Sequence, residues 1–147
     1  MRFTALILTI LLFTATLSAQ QTWVGSYSTA GRLPTGYTDV NCTVQDSYNV
    51  LAFDIGNQWL IGPDCVPVGS PALLVAGFGS LFAPFKGGVM VPTLDIVLPF
   101  TTFGATLVVQ EPAPVPPGLS LLIQFWVADP LGPVGVGATG TLTWMST

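Results

Sequence analysis

Few residues in this chain could carry out chemistry. The sequence contains seven acidic residues, two cysteines, a single lysine and no histidine. Without an imidazole, serine and cysteine nucleophiles lack their usual base, and metal ions lack a common ligand. A Ser–Lys dyad would depend on Lys86, which stands in a glycine-rich segment typical of a loop. We therefore predict that the protein is not an enzyme and uses no cofactor or metal.

Paired carboxylates are the remaining route to catalysis, because glycosidases use two of them. The candidates are Asp39, Asp46, Asp54, Asp64, Asp95, Glu111 and Asp129. Most stand at predicted turns, and no spacing selects a pair. Asp favours turns because its side chain bonds the nearby backbone, so we interpret these residues as turn formers. Asp54, Asn57 and Asp64 could approach one another near a calcium ion, but the EF-hand spacing is absent.

The first 19 residues have the pattern of a secretory signal peptide. Arg2 supplies a positive start, residues 3–17 are apolar apart from threonines, and Ala19 ends the segment with a small residue. The apolar stretch is shorter than the roughly 20 residues that span a membrane. We expect cleavage after Ala19 and a secreted domain of residues 20–147, with the periplasm or the cell surface as alternative locations.

The only cysteines are Cys42 and Cys65. In a secreted chain such a pair predicts a disulfide. Closing the intervening loop would stabilise the fold by about 3 kcal/mol in the chain-entropy model. A thiol-based metal or catalytic site would need further ligands or a base that the sequence lacks.

The composition restricts the partners. Charged residues make up 7% of the chain, and its net charge is −4. Arg32 and Lys86 would be the only cations after cleavage, too few to follow a phosphate backbone. So few charged residues favour a protein that functions in an assembly, on a surface or as part of an envelope.

Short apolar runs between glycines and prolines predict an all-β domain. The expected strands cover residues 22–28, 38–45, 48–55, 58–61, 72–76, 88–92, 94–100, 105–110, 119–128 and 138–145. Residues 72–76 and 119–128 have the apolar character of strands buried on both faces. We expect an antiparallel β-sandwich or a jelly-roll-like fold. A boundary near residues 62–71 leaves open whether the two halves form one sandwich.

Aromatic residues are the feature most able to bind a ligand, because exposed Trp and Tyr can stack on sugar rings. The Trp and Tyr residues are Trp23, Tyr27, Tyr37, Tyr48, Trp59, Trp126 and Trp144. Trp59 follows the turn signal Gly56-Asn57 and is our candidate ligand contact. The alternative is that these rings fill the core or a sheet edge.

Three segments carry a resemblance: Gly88–Pro92, Asp95–Pro99, and Gln124–Pro130 followed by Gly132-Pro133. They are similar to a recurrent β-rich module of secreted bacterial proteins, a family without an assigned activity. The likeness covers residues 65–144. It implies an extracellular β-module and carries no catalytic residues over to this chain.

Two functions follow as expectations. The first is a non-enzymatic structural or cell-surface module that associates with itself or with envelope components. The second is a carbohydrate-binding module that uses exposed Trp and Tyr. A carboxylate-based hydrolase is a third possibility, because fold alone does not decide function.

Overall fold

The computed structural model describes residues 23–33, 49–55, 58–64, 66–103, 107–110 and 116–147. These residues form eleven strands and no helix: β1 Trp23–Ser28, β2 Asn49–Ile55, β3 Gln58–Asp64, β4 Pro71–Gly77, β5 Ser80–Phe85, β6 Gly88–Pro92, β7 Ile96–Thr101, β8 Leu107–Gln110, β9 Ser120–Ala128, β10 Val136–Ala138 and β11 Thr141–Ser146. Every strand pairing is antiparallel. The predicted all-β class is confirmed.

Several predicted features lie outside the described residues. They are the signal peptide at 1–19, the strand at 38–45, Cys42, Cys65 and the Gly56-Asn57 turn. Within the described residues, no helix has the length and apolar character needed to cross a membrane.

The largest sheet has six strands in the order β1-β11-β9-β4-β7, and β10 also pairs with β9. The two central strands, β4 and β9, are nearly continuous apolar runs, and most of their residues are buried. A strand in the middle of a sheet that is covered on both sides has no solvent face, so it needs no alternating polar residues. The expectation that both strands are buried on both faces is confirmed.

One face of this sheet, here called the sandwich face, carries the main hydrophobic core. Leu74, Ile123, Phe125 and Trp144 pack there with Ile61 of β3. Because β3 is the middle strand of the separate three-stranded sheet β2-β3-β8, Ile61 brings that sheet against the large one. The arrangement is consistent with a β-sandwich.

The opposite face, here called the hairpin face, is covered by the hairpin of β5 and β6. Val75 and Trp126 of the large sheet pack there with Met90 of β6 and with Leu33. A β-hairpin alone is marginally stable in water, so this contact with the sheet is what holds the hairpin in place.

The structure corrects the prediction of one continuous strand over residues 138–145. Ala138 pairs with Trp126, whereas Leu142 pairs with Ile123, which is a slip of one residue along β9. A one-residue slip moves every later side chain to the other face. Ala138 therefore packs on the hairpin face and Leu142 on the sandwich face.

The structure also adds a strand that the sequence analysis did not predict, because β5 spans Ser80–Phe85, between the expected strands 72–76 and 88–92. Its register with β6 shifts between Ser80 and Ala83. Phe82 lies inside this irregularity with a φ of 51°. A bulge breaks the two-residue alternation, and the sequence of β5 consequently lacks the usual pattern of a strand.

Candidate functional site

The carboxylates are the residues considered above for catalysis and for calcium binding. Among the described residues, no three His, Cys, Asp or Glu side chains come together in a way that could hold a metal ion. Asp129 is buried, and its Oδ1 accepts hydrogen bonds from the backbone N–H groups of Leu131 (3.1 Å) and Gly132 (3.0 Å). This geometry fits the interpretation of Asp129 as a turn former. Asp39, Asp46 and Glu111 lie outside the described residues.

Asp95 holds the turn that leads into β7. Its Oδ2 accepts a hydrogen bond from the Thr93 hydroxyl (2.6 Å) and another from the backbone N–H of Phe78 (2.8 Å). These two bonds, the Thr93 bond foremost, hold the pKa of Asp95 below its ordinary value, because they stabilise the charged form. The carboxylate is thus bound to its own turn.

Gln124 is a fully buried polar side chain at the centre of the hairpin face. Its Oε1 accepts from the backbone N–H of Val91 (3.1 Å). Its Nε2 donates to the carbonyls of Gly31 (3.1 Å), Val89 (3.2 Å) and Thr139 (3.3 Å). One amide thereby joins β9 to β6, to the segment after β1 and to the segment before β11. Gln124, the first residue of the segment Gln124–Pro130 that carries the resemblance, therefore has a structural role.

The site around Gln124 requires glycine at position 31. Gly31 has a φ of 80°, which side-chain-bearing residues rarely adopt, and a Cβ there would lie 2.4 Å from Gln124 Nε2. The close approach of the backbone is what allows the Gly31 carbonyl to accept the amide hydrogen. The sequence offered no signal for this contact, since 93 residues separate the two partners.

The described tryptophan side chains serve the core. Trp126 and Trp144 are both buried, and Trp126 meets the ring of Phe85 edge to face at 4.8 Å. Tyr27 is partly exposed, and its hydroxyl accepts a hydrogen bond from the backbone N–H of Gly140 (3.1 Å). Trp59 lies in β3, paired with Asp54 and Val109, and its side chain is outside the described part of the structure. The carbohydrate-binding alternative stays a prediction.

An exposed apolar strand at the edge of the large sheet is the most unusual surface feature. Ile96, Val97 and Leu98 of β7 are 36%, 44% and 45% exposed, and Leu94 just before them is 58% exposed. We call these four residues the β7 surface. Ile96 and Leu98 pair with Ala76 and Leu74 of the sandwich face. Val97 pairs with Val75, on the hairpin side.

The backbone edge of β7 is interrupted by Pro99. The Thr102 N–H donates to the Ser70 carbonyl at 3.0 Å, so this pair is hydrogen-bonded in the register that joins β4 and β7. Hydrogen-bonded pairs alternate along an antiparallel ladder. The backbone groups of Val97, Pro99 and Thr101 therefore face away from β4, and Pro99 leaves a gap in the row of donors.

Pro99 lies within the predicted strand 94–100, and it is the sequence signal that could have identified β7 as an edge strand. Proline is confined to edge strands, strand starts and bulges because it cannot donate to the ladder. The segment 94–100 was expected to be a strand, but its exposure depends on which strand ends the sheet. That order is a property of the whole fold.

The chain was also compared with known proteins. No family model, curated protein or solved structure matches it.

Proposed function

We propose that this protein is a secreted, non-enzymatic structural or cell-surface module that associates with itself through the β7 surface. The single observation that supports this most is the exposure of Ile96, Val97 and Leu98 on an edge strand. Exposed apolar side chains that are neighbours on one face, as Ile96 and Leu98 are, mark contact sites on soluble proteins. Exposure of these side chains to water is unfavourable, and association would bury them.

The contact is made by side chains rather than by extension of the sheet. Pro99 removes a donor from the free edge of β7, and natural proteins use proline to prevent pairing between edges. Ile96 and Leu98 lie on the sandwich side of the strand, where they offer two neighbouring aliphatic side chains. A second copy would cover them by packing its own β7 surface against them.

One charged side chain, Asp95, borders this contact. Ile96, Val97 and Leu98 follow each other without an intervening charged residue, and Asp95 is held in its turn by Thr93 and Phe78. Few charged side chains would have to be desolvated or paired when two such surfaces meet.

The test is light scattering on the mature chain, residues 20–147, over a series of protein concentrations. We expect the mass to grow with concentration, and the double variant Ile96→Thr/Leu98→Thr to weaken association at least about tenfold, because two partly exposed aliphatic groups lose their gain from burial. Thr keeps the β-branched shape that strands favour.

The matched control is Val68→Thr/Leu131→Thr. Both residues are highly exposed and apolar, and both lie outside the β7 surface. We expect this variant to associate as the wild type does. A wild type that stays monomeric throughout, or a control that weakens association equally, would contradict the proposal.

A further inference from the structure

A groove runs along the hairpin face between the β5–β6 hairpin and the strands β4 and β7. It consists of two open cavities of about 290 Å³ and 370 Å³ that share Leu73 and Phe85 as lining residues. We call it the hairpin groove. Trp126 and Val136 line its first part, and Val75 and Val97 line its second part.

Among the described residues, the lining of the groove is apolar apart from one cation. Lys86 lines the first cavity, and none of the described residues that line either cavity is acidic. Lys86 is exposed, and no ion pair joins it to any of the described residues. In a chain with a net charge of −4, the local charge at this end of the groove is opposite to that of the molecule.

The backbone conformation at Lys86 is not one that lysine prefers. Lys86 and Gly87 have φ values of 47° and 84° and connect β5 to β6. Two-residue hairpin turns with positive φ at both positions favour Asn, Asp or Gly at the first. A lysine here is disfavoured for the turn itself, and a residue held in such a conformation motivates a hypothesis of function.

We propose that the hairpin groove binds a single-chain carboxylate amphiphile, a fatty acid, with its carboxylate at Lys86 and its chain along Phe85 and Leu73 toward Val97. One lysine matches one carboxylate charge. The two cavities share Leu73 and Phe85 as lining residues, and the proposed chain passes these two side chains from the first cavity to the second. Small-molecule sites combine such an apolar lining with few polar groups that fix orientation.

This proposal can be tested apart from the association, although Leu94 and Val97 of the β7 surface also line the second cavity. Ile96 and Leu98 lie on the sandwich side of β7 and do not line the groove. The variant Ile96→Thr/Leu98→Thr is therefore expected to bind the fatty acid as the wild type does, and can serve as the host for the binding measurements.

The test is isothermal titration calorimetry of residues 20–147 with dodecanoate, below the concentration at which it forms micelles. We expect Lys86→Asn to weaken binding about tenfold, because the charge-assisted hydrogen bond is lost, and Lys86→Arg to preserve it. Asn suits the turn, so the variant should melt no lower than the wild type. Equal binding by Lys86→Asn, or no binding by the wild type, would overturn the proposal.

Two further sets of ligands test the head group and the chain separately. Dodecyltrimethylammonium has the same chain with a positive head, and we expect it to bind at least tenfold more weakly than dodecanoate. Between hexanoate and dodecanoate, affinity should rise up to about fourfold for each methylene that becomes buried. Equal affinity for the two heads, or a flat chain-length series, would refute the assignment.

Discussion

At the scale of single residues, the Gln124 amide acts as a piece of β-strand. It accepts from the Val91 N–H and donates to the Val89 carbonyl, which are the two groups that a neighbouring strand residue would bind along β6. Buried edges must have their backbone groups satisfied. Gln124 does this from β9 of the large sheet.

Replacement of Gln124 by Leu should destabilise the fold by at least about 3 kcal/mol, because two buried and two part-buried backbone groups would lose this partner, and each buried group left unsatisfied costs about 1–3 kcal/mol. Chemical denaturation measures this free energy. The matched control is Thr143→Val, on the same side of the sheet, which removes a hydroxyl that bonds none of the described residues and should change stability little. Similar losses in the two variants would refute this role of Gln124.

Asp95 gives a residue-scale prediction about pH. Its pKa is lowered in the folded protein by the bonds from Thr93 and Phe78. Asp95 therefore contributes stability at pH values above its ordinary pKa, and this contribution disappears as the pH falls through the lowered folded value.

Replacing Thr93 by Val removes the larger cause of the shift, so the pKa of Asp95 should rise toward its ordinary value. Carboxyl-carbon NMR titration of Asp95 in both proteins measures this directly. An unchanged titration curve in the Thr93→Val protein would show that the hydroxyl does not determine the pKa.

At the scale of elements, Pro99 limits what the edge strand can do. The variant Pro99→Val should supply the missing donor to the free edge of β7 and promote strand pairing between molecules. We expect larger assemblies by light scattering and increased β-structure by infrared spectroscopy. Pro71→Val is the control, since Pro71 lies on β4, a strand whose two sides are occupied by β7 and β9. Equal assembly by both variants would contradict the role of Pro99.

Several elements could be predicted because their own residues determine them. β4 and β9 are recognised by unbroken apolar runs, and β6 by a short β-branched run. The break before β11 could not be predicted, because Thr139 is held there by its bonds to Phe125, a distant partner in the chain. β5 could not be predicted because the bulge at Phe82 breaks the two-residue alternation by which a strand is recognised.

At the scale of the whole molecule, the candidate surfaces depend on what the fold leaves uncovered. The sequence shows apolar residues at 94 and 96–98 but not that their strand ends a sheet. It shows a lysine before two glycines but not that this turn closes a groove. The edge position depends on the order of strands, and the groove depends on the position of the hairpin. Contacts between distant parts of the chain determine both.

The argument against nucleic acids and other polyanions, in contrast, rests on composition alone. A net charge of −4 with three cations in the chain disfavours polyanions whatever the fold. Apolar contact is the mode of recognition that such a surface retains, and both proposals use it.

Amide hydrogen exchange on residues 20–147 at low and high protein concentration would test the proposed association most directly. We predict that exchange in the fragment covering residues 94–101 slows as concentration rises, with the outward amides of Val97 and Thr101 the fastest in the dilute protein. The loop at residues 130–135 should exchange at a constant rate. Exchange in 94–101 that is the same at every concentration, or protection that appears elsewhere instead, would contradict association through the β7 surface.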